Sequence, residues 1–389
     1  MQTPLFPRLQ RRQLLAAALL GPVWPELAQS QVSRLEATAP KLARRLLRFP
    51  RDLGSHPDTA IEWWYVTGEL QAPDRLFGFQ LTFFRSRVPT TQSMTSAFAA
   101  RQLIFAHAAV TDVAGLRLLH DQRIARSSGK ASVDLAFASE TDTEVNLRDW
   151  SLVRRDGAYQ VRVPGQGFAF TLRLQETQPL LLQGDQGLSR KGPEAAQASY
   201  YYSLPHLNVS GELTLAGQVM PVTGRAWLDH EWSESLLHPD AVGWDWIGMN
   251  LNDGSALTAF RLRTKTGSSL WAGGSWRAQG SVQALVFAPD DVVFTIDRVW
   301  QSPASGARYP VQWTLDIRRK AAGNAAETTP DTAWQRFVVR AVLDNQELDS
   351  RSSTGAIYWE GLSDLLNQQG QPIGRGYLEM TGYASPLKL

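Results

Sequence analysis

Trp227–Trp232 reads WLDHEW, and twelve residues after it Trp244–Trp246 reads WDW. These nine residues hold one imidazole, three carboxylates and four indoles. A solvent-exposed surface rarely contains so many tryptophans, and an ordinary core rarely contains so many charged residues. Side chains alternate between the two faces of a strand, so His230 shares a face with Trp232 while its two acidic neighbours point the other way. Both stretches are therefore predicted to be strands that line a pocket.

The rest of the chain reads as β-structure almost throughout. Turn signals such as Asp156-Gly157 and Thr266-Gly267 separate short runs that mix or alternate apolar and polar residues, as in Phe168–Leu174. Many short strands and few helices are typical of barrels and sandwiches. Lys41–Phe49 is the best short helical candidate, and Gln183–Gln197 is predicted to be a long surface loop.

A faint internal repeat indicates two similar units. The first copy has Glu62–Tyr65 followed by Leu81–Arg85, and the second has Trp244–Trp246 followed by Leu257–Arg261. Both copies place a tryptophan-rich strand before a strand that reads Leu-Thr-x-Phe-Arg. A closed barrel of about eight strands can hold one small ligand. We therefore predict an all-β protein of two lipocalin-like antiparallel barrels, residues 31–235 and residues 236–389.

Residues 1–30 are predicted to be a cleaved export signal. Arg11-Arg12 precede the apolar run Leu14–Leu20, and Ala28 and Ser30 offer small residues for cleavage. The adjacent arginines favour the twin-arginine route. The apolar run is short for a membrane span, although an uncleaved anchor stays an alternative. We expect a periplasmic or secreted protein.

Composition excludes several classes of protein. The 39 basic and 37 acidic residues include three arginines and one glutamate in residues 1–30, so 36 of each sign remain after them. That balance gives no reason to expect nucleic acid as a partner. The chain has no cysteine, which excludes a disulfide framework and a lipid-modified cysteine. No Gly-x-Ser-x-Gly turn is present to hold a serine nucleophile.

Several motifs together resemble the AttH/carotenoid 1,2-hydratase family, many of whose members are labelled predicted secreted hydrolases. The motifs are His56–Asp58, Glu62–Gly68, Phe105–His107, Gly224–Trp232, Gly243–Trp246, Tyr309-Pro310, Tyr358–Gly361 and Gly376–Tyr383. They span nearly the whole chain after residue 30, and the resemblance implies two lipocalin-like barrels.

The same resemblance implies a reaction less clearly. The hydratase branch adds water across a terminal double bond of an acyclic polyene by acid–base chemistry in a hydrophobic tunnel. His230 and Trp232 fall where that branch has a functional histidine and tryptophan. The branch also uses a tyrosine and an aspartate on a following strand, where this chain has Phe260, Arg261 and Leu262. Neither Phe nor Leu can supply a proton to an alkene.

Three residues are predicted to be catalytic: His230, Asp245 and Glu360. His230 is either a general acid or base or a structural histidine held by a neighbouring acid, and Asp245 on the next strand is its expected partner. Glu360 and Glu379 lie among aromatic residues, so each must be paired or have a raised pKa. Ion pairs of these two glutamates with Arg85 or Arg261 are the favoured interpretation.

Indole faces bind flat apolar groups while their N–H groups orient a polar end. The predicted ligand-binding residues are Trp63, Trp64, Trp232, Trp244, Trp246, His107 and Arg261. A metal ion needs three or four converging ligands. The candidates His56, His107, Glu62, His230 and Asp245 include no close-spaced pair, so neither a metal nor a cofactor is predicted.

These observations favour an exported lipocalin-like protein that binds or processes a hydrophobic small molecule, a lipid or an isoprenoid. A simple carrier predicts an apolar pocket with no acid near the ligand. A hydro-lyase or a hydrolase predicts that His230 and an acid converge on an open cavity. An accessory protein of an envelope transport system, with a transporter as partner, predicts sealed barrels and an exposed apolar patch.

Overall fold

The computed structural model describes residues 42–130, 132, 134–235, 237–319 and 333–387, so the predicted export signal lies outside the described residues. In these ranges 23 strands account for nearly all regular structure, and the all-β prediction is confirmed. Three 3₁₀ turns occur, at Arg51–Leu53, Pro89–Thr91 and Pro289–Asp291. Residues 42–48 have no regular structure, so the helix predicted there is wrong. Within the described ranges no helix is long and apolar enough to cross a membrane.

The first antiparallel sheet contains thirteen strands. They are β1 (Ile61–Gln71), β2 (Leu76–Arg87), β3 (Gln102–Asp112), β4 (Arg117–Ser127), β5 (Ala136–Ala138), β6 (Glu144–Leu147), β7 (Trp150–Arg155), β8 (Ala158–Pro164), β9 (Phe168–Gln175), β10 (Leu181–Leu182), β11 (Leu188–Arg190), β12 (Ala198–Leu215) and β13 (Gln218–Ser233). The main order is β4-β3-β2-β1-β13-β12-β9-β8-β7-β6-β5, and β10 and β11 pair with β12. The two ends, β4 and β5, contact each other, so the sheet nearly closes into a barrel.

The second antiparallel sheet contains ten strands. They are β14 (Gly243–Leu251), β15 (Ala256–Arg263), β16 (Ser269–Arg277), β17 (Leu285–Phe287), β18 (Val292–Gln301), β19 (Arg308–Arg319), β20 (Ala333–Ala341), β21 (Glu347–Asp349), β22 (Ile357–Leu366) and β23 (Pro372–Met380). The main order is β17-β16-β15-β14-β23-β22-β20-β19-β18, with β21 paired to β22. The first sheet ends at Ser233 and the second begins at Gly243; two separate domains divided at residue 235 stay a prediction.

Each sheet curves around its own apolar core. Inward-facing side chains such as Phe79 and Leu228 fill the first, and Trp313 and Trp359 are fully buried in the second. Side-chain alternation explains the filling, because every second residue of each strand points inward. The inward-facing side chains therefore occupy the interior of each sheet, where a closed barrel could have held one small ligand.

The strand register confirms the internal repeat. Glu62 on β1 lies opposite Arg85 on β2, and Asp245 on β14 lies opposite Arg261 on β15. Both pairs form ion pairs with an Nε–O distance of 2.7 Å. The two Leu-Thr-x-Phe-Arg strands thus hold equivalent positions, each with a carboxylate–arginine pair.

The two sheets pack against each other through their outer faces. Tyr65, Trp227, Trp246 and Tyr377 belong to one buried apolar cluster that joins the sheets. Gly78 permits this approach, because a Cβ there would lie 2.7 Å from the Tyr377 hydroxyl oxygen. The residues on the faces opposite the two cores therefore meet, and they form the site described next.

Candidate functional site

A cavity of about 90 Å³ lies between the outer faces of the two sheets. Its lining residues are Ile61, Trp63, Tyr65, Thr82, Phe84, Lys191, Tyr201, Asp229, Glu231, Trp244, Trp246, Phe260, Leu262, Tyr358, Glu360 and Glu379. Both sheets contribute to the wall, which combines aromatic rings with four carboxylates.

The repeat explains where the aromatic wall comes from. Trp63 lies opposite Glu231 in the first sheet, and Trp246 lies opposite Glu379 in the second. Each sheet therefore brings one tryptophan and one glutamate to the cavity from equivalent positions. The Trp246 Nε1–H donates to the Tyr201 hydroxyl across the cavity boundary at 3.1 Å, so the two sheets are also joined by a hydrogen bond.

Asp229 is held firmly at the base of this wall. Its carboxylate accepts hydrogen bonds from the Ser203 hydroxyl at 2.6 Å, the Tyr201 hydroxyl at 2.7 Å and the Trp227 Nε1–H at 2.6 Å. Burial raises the pKa of Asp229 to about 7, although these three donors oppose the rise and the charge of Glu231 adds to it. Asp229 can therefore exchange a proton near neutral pH.

Glu360 on β22 and Glu379 on β23 lie directly opposite each other. Burial, then the charge of Glu379, raise the pKa of Glu360 well above its ordinary value. Burial raises the pKa of Glu379 to about 7, against a hydrogen bond from Trp244 and with the charges of Asp229 and Glu231 adding to the rise. Two neighbouring buried carboxyls resist holding two negative charges, so Glu379 ionises first and Glu360 keeps its proton to higher pH than an ordinary glutamate.

Glu231 differs from the other three cavity acids in having a cationic partner among the described residues. Lys191 Nζ lies 2.9 Å from Glu231 Oε1, and the Ser199 hydroxyl donates to the same carboxylate. Lys191 also lies over the Phe260 ring, 4.3 Å from its centroid. Lys191 follows β11, inside the segment predicted to be only a surface loop. That segment therefore reaches the cavity, a role for which its composition gave no signal.

His230 lies on the other face of β13, in the core of the first sheet. Its side chain is fully buried, with Nε2 2.9 Å from Glu62 Oε1 and Nδ1 3.0 Å from the Tyr202 hydroxyl. Trp64 stacks on His230 with ring centroids 4.6 Å apart. His230 and Trp232 do point inward together, as the alternation predicts, but they point away from the cavity.

Glu62 is the centre of a buried charge network around His230. Arg85 Nε donates to Glu62 Oε2 at 2.7 Å, and the ring of His56 lies between Glu62 and Asp52, with nitrogen–oxygen distances of 2.7 and 3.0 Å. Burial opposes the charged forms, yet these contacts outweigh it, so the pKa of Glu62 is lowered and that of His56 is raised. The buried charges beside the first core are therefore paired with charges of opposite sign.

His56, Glu62 and His230 each offer an atom close enough to share a metal ion. Those same atoms already form hydrogen bonds and ion pairs within the protein. Both ring nitrogens of His56 contact carboxylates, which suits a doubly protonated ring without a free lone pair. Arg85 would also bring a positive charge beside any ion bound to Glu62. The donor set therefore fits a hydrogen-bonded ion network better than a metal centre.

The structure divides the predicted site residues into two groups. Trp63, Trp244, Trp246 and Glu360 line the cavity. The others lie behind its wall: His230, Trp64 and Trp232 in the first core, Asp245 and Arg261 in the second sheet, and His107 behind Tyr358. The expected His230–Asp245 partnership is not formed, because Asp245 contacts Arg261, Arg263 and Tyr383 instead.

The expected ion pairs of Glu360 and Glu379 with Arg85 or Arg261 also need correction. Arg85 forms its ion pair with Glu62, and Arg261 forms its ion pair with Asp245. Both arginines lie on the core side of their strands. Sequence reasoning missed Asp229 and Tyr201 as cavity residues, and it named Glu379 as a buried carboxyl but favoured an ion pair for it. The alternation did contain the signal for Asp229, since it placed that carboxylate on the face opposite His230.

His230 is expected to stay neutral down to about pH 4. Burial lowers its pKa to about 4 although the hydrogen bond to Glu62 opposes the shift. The unfolded chain takes up this proton near pH 6.5, so the group makes the folded state less stable as pH falls from about 6.5 to about 4. An NMR titration of the imidazole ring protons, assigned by the signal missing in His230→Gln, tests this. A midpoint above pH 6 would contradict it.

The model of the AttH-like family matches residues 40–383 of this chain. The chain belongs to the AttH-like family. A candidate AttH protein from Nitrosomonas europaea, known from a crystal structure, is 45% identical in sequence to this chain. The two structures match with a TM-score of 0.78 over 88% of this chain and 99% of that one. The family resemblance predicted from the motifs is thereby confirmed.

Two more distant structures share the fold of this AttH-like chain. Kievitone hydratase from Nectria haematococca is 14% identical with a TM-score of 0.65, and the match covers 88% of this chain and 94% of that one. CghA is 13% identical with a TM-score of 0.50, over 84% of this chain and 88% of that one. No curated protein matches the chain.

Proposed function

We propose that this AttH-like protein is a hydro-lyase that adds water to, or removes water from, a hydrophobic small molecule held in the cavity between the two sheets. The observation that carries the proposal is the pair Glu360 and Glu379, two facing carboxyls in a cavity lined with aromatic rings. A neutral acid beside an ionised acid is the arrangement that general acid–base chemistry requires.

The hydration direction assigns a role to each glutamate. Glu360 gives its proton to one carbon of an alkene, which leaves positive charge on the other carbon. A water oxygen bonds to that carbon, and Glu379 takes the proton that this water loses. The product is an alcohol, Glu360 is left as a carboxylate and Glu379 as an acid, so Glu379 must release its proton and Glu360 must regain one before the next turnover. The dehydration direction reverses each step.

The aromatic wall supports the same chemistry. Indole faces stabilise a nearby cation through the ring quadrupole, most strongly where water is excluded. Trp63, Trp244 and Trp246 line the cavity together with the carboxylates. They can therefore stabilise the cationic centre that forms when an alkene is protonated, while binding the apolar remainder of the molecule.

Two observations favour this proposal over a carrier role and over catalysis by His230. A simple carrier calls for an apolar pocket without acids, whereas four carboxylates line this cavity. His230 as the acid would need access to the ligand, whereas its ring is fully buried on the core side of β13. Export through the twin-arginine route remains a proposal that rests on the amino-terminal sequence, and contact with an envelope transporter remains a separate alternative.

Incubation in D₂O tests the proposal with a panel of candidate substrates. The purified protein is mixed with acyclic isoprenoid alkenes and with the corresponding tertiary alcohols. We expect deuterium bound to carbon in at least one member, detected by mass spectrometry, because protonation of an alkene by a solvent-exchanged acid makes a C–D bond. Small molecules that co-purify with the protein extend the panel.

The pH dependence provides the control. The rate is expected to rise with pH through about 7, where Glu379 ionises, and to fall again once Glu360 loses its proton. Glu379→Gln is expected to remove the rising limb. If neither the panel nor the co-purified molecules gain deuterium bound to carbon, the hydro-lyase proposal is wrong and a binding role is favoured.

A further inference from the structure

A chain of polar side chains leads away from the cavity behind Glu360. Tyr358 Oη lies 3.3 Å from Glu360 Oε1 and 2.7 Å from His107 Nδ1. His107 Nε2 lies 2.8 Å from Ser353 Oγ, which lies 2.5 Å from Gln122 Oε1. Tyr358 and His107 are buried, with exposed fractions of 7% and 1%, while Ser353 is partly exposed. The chain therefore runs from the cavity wall to the protein surface.

This path of hydrogen-bonded side chains crosses from one sheet to the other. His107 lies on β3 of the first sheet, Tyr358 lies on β22 of the second, and Ser353 lies in the turn before β22. The Phe84 ring packs beside His107 with centroids 5.4 Å apart, so apolar contacts flank the polar path. A hydrogen-bonded path with apolar neighbours keeps its geometry and excludes competing water.

We propose that Tyr358, His107 and Ser353 form a proton relay that returns a proton from solvent to Glu360, an inference that rests on the hydro-lyase function proposed above. Glu360 loses its proton to the alkene at a time when ligand fills the cavity and blocks access from that side. The relay reaches Glu360 through Tyr358 in the cavity wall and continues through His107 to the partly exposed Ser353, so it does not need water to enter through the filled cavity.

The hydrogen bonds allow two complete and opposite arrangements. With Glu360 protonated, its O–H donates to Tyr358, the Tyr358 O–H donates to His107 Nδ1, His107 Nε2–H donates to Ser353, and Ser353 donates to Gln122. With Glu360 ionised, Tyr358 donates to Glu360, His107 Nδ1–H donates to Tyr358, and Ser353 donates to His107 Nε2. Neutral imidazole supports both arrangements, since one nitrogen donates and the other accepts in each.

One proton entering at Ser353 converts the second arrangement into the first. The Ser353 hydroxyl gains the solvent proton and passes its own to His107 Nε2, while Nδ1 passes its proton to Tyr358 and Tyr358 passes its proton to Glu360. Each residue then carries as many protons as before except Glu360, which has gained one. No oxidant, metal or other reactant is needed.

His107 is held in the neutral form that this shift requires. Burial, with a smaller contribution from His120 on the neighbouring strand, lowers the pKa of His107 to about 3. The groups that face Glu360 are Tyr65, Tyr358 and Glu379. The groups that face His107 are Tyr358, Ser353 and His120. Positive charge therefore does not accumulate on the relay at neutral pH.

A ¹⁵N NMR titration of the full protein tests the relay without any substrate. We expect the His107 proton to reside on Nε2 while Glu360 is protonated and to move to Nδ1 when rising pH ionises Glu360. Glu360→Gln is expected to abolish the switch. A histidine with only a structural role would keep one tautomer throughout, so a His107 tautomer that is the same before and after Glu360 ionises overturns the relay.

A kinetic test separates the relay from the chemical step. With whichever alkene turns over, His107→Phe and Ser353→Ala are expected to lower kcat about tenfold or more while kcat/KM and the first turnover stay unchanged. His120→Phe is the matched control, because His120 lies on the adjacent strand β4 and is not part of the relay. This variant should retain full kcat. Normal kcat in both relay variants would overturn the relay even if the wild-type protein is a hydro-lyase. A His107 switch without any turnover would instead reject only the hydro-lyase proposal.

Discussion

Glu360→Gln is expected to lower kcat by about 10²–10⁴-fold while the ligand still binds. The amide has nearly the shape of the carboxylic acid but no proton acidic enough to protonate an alkene. Glu360 lines the cavity and lies opposite Glu379, so the loss falls on the chemical step rather than on the aromatic contacts that hold the ligand. Steady-state kinetics with a substrate from the isotope panel, and mass spectrometry of retained ligand, measure the two effects separately.

Glu347→Gln is the matched control for this substitution. Glu347 is a glutamate of the same sheet whose carboxylate accepts a hydrogen bond from the Ser302 hydroxyl at 2.8 Å, and it does not line the cavity. We expect its kcat to equal that of the wild-type protein. A Glu360→Gln protein that keeps more than a tenth of the wild-type kcat would show that another group supplies the proton.

Arg85→Met is expected to lower the free energy of unfolding by about 3–5 kcal/mol, because it leaves the buried Glu62 charge without its strongest partner. Arg85 and Glu62 are 1% and 0% exposed. The guanidinium also donates to the His56 carbonyl at 2.8 Å and to the Gln102 side chain at 2.8 Å. Urea denaturation followed by tryptophan fluorescence measures the change.

A double substitution tests whether the loss comes from the stranded charge. Glu62→Gln with Arg85→Met removes both charges, so we expect the double variant to be more stable than the sum of the two single losses predicts. Arg155→Met, which breaks a solvent-exposed pair with Glu144, should leave the urea midpoint nearly unchanged. Additive losses in the double variant would contradict a direct coupling between Glu62 and Arg85.

The alternation of side chains carried much of the fold prediction. It correctly separated His230 and Trp232 from Asp229, and the repeated Leu-Thr-x-Phe-Arg strands occupy equivalent positions, with ion pairs at Glu62 and Asp245. These features are local, because strand pleating fixes which neighbours share a face. They do not depend on how the sheets meet.

The position of the site could not be predicted from side-chain alternation, because it is formed by contacts between the two sheets. A strand with charged and aromatic residues on both faces does not reveal which face is packed into a core and which borders a cavity. The sequence left His230 open between an acid–base role and a structural role beside an acid. Its contact with Glu62 and its burial in the first core, which lowers its pKa to about 4, favour the structural role. Glu379 and Lys191 reach the site from strands and segments far away in sequence.

The sequence by itself determined the β-structure, the two related units and the family, because period-two patterning, turn residues and motif spacing are all written along the chain. Only the tertiary structure decided that the outer faces of the two sheets meet. That packing buries Asp229, Glu360 and Glu379 among indoles and raises their pKa values, since burial penalises the charged form of an acid. His230, Trp232 and Asp245, which the sequence made conspicuous, lie on the core sides of their strands, because alternation gives the cavity to their neighbours Asp229, Glu231, Trp244 and Trp246.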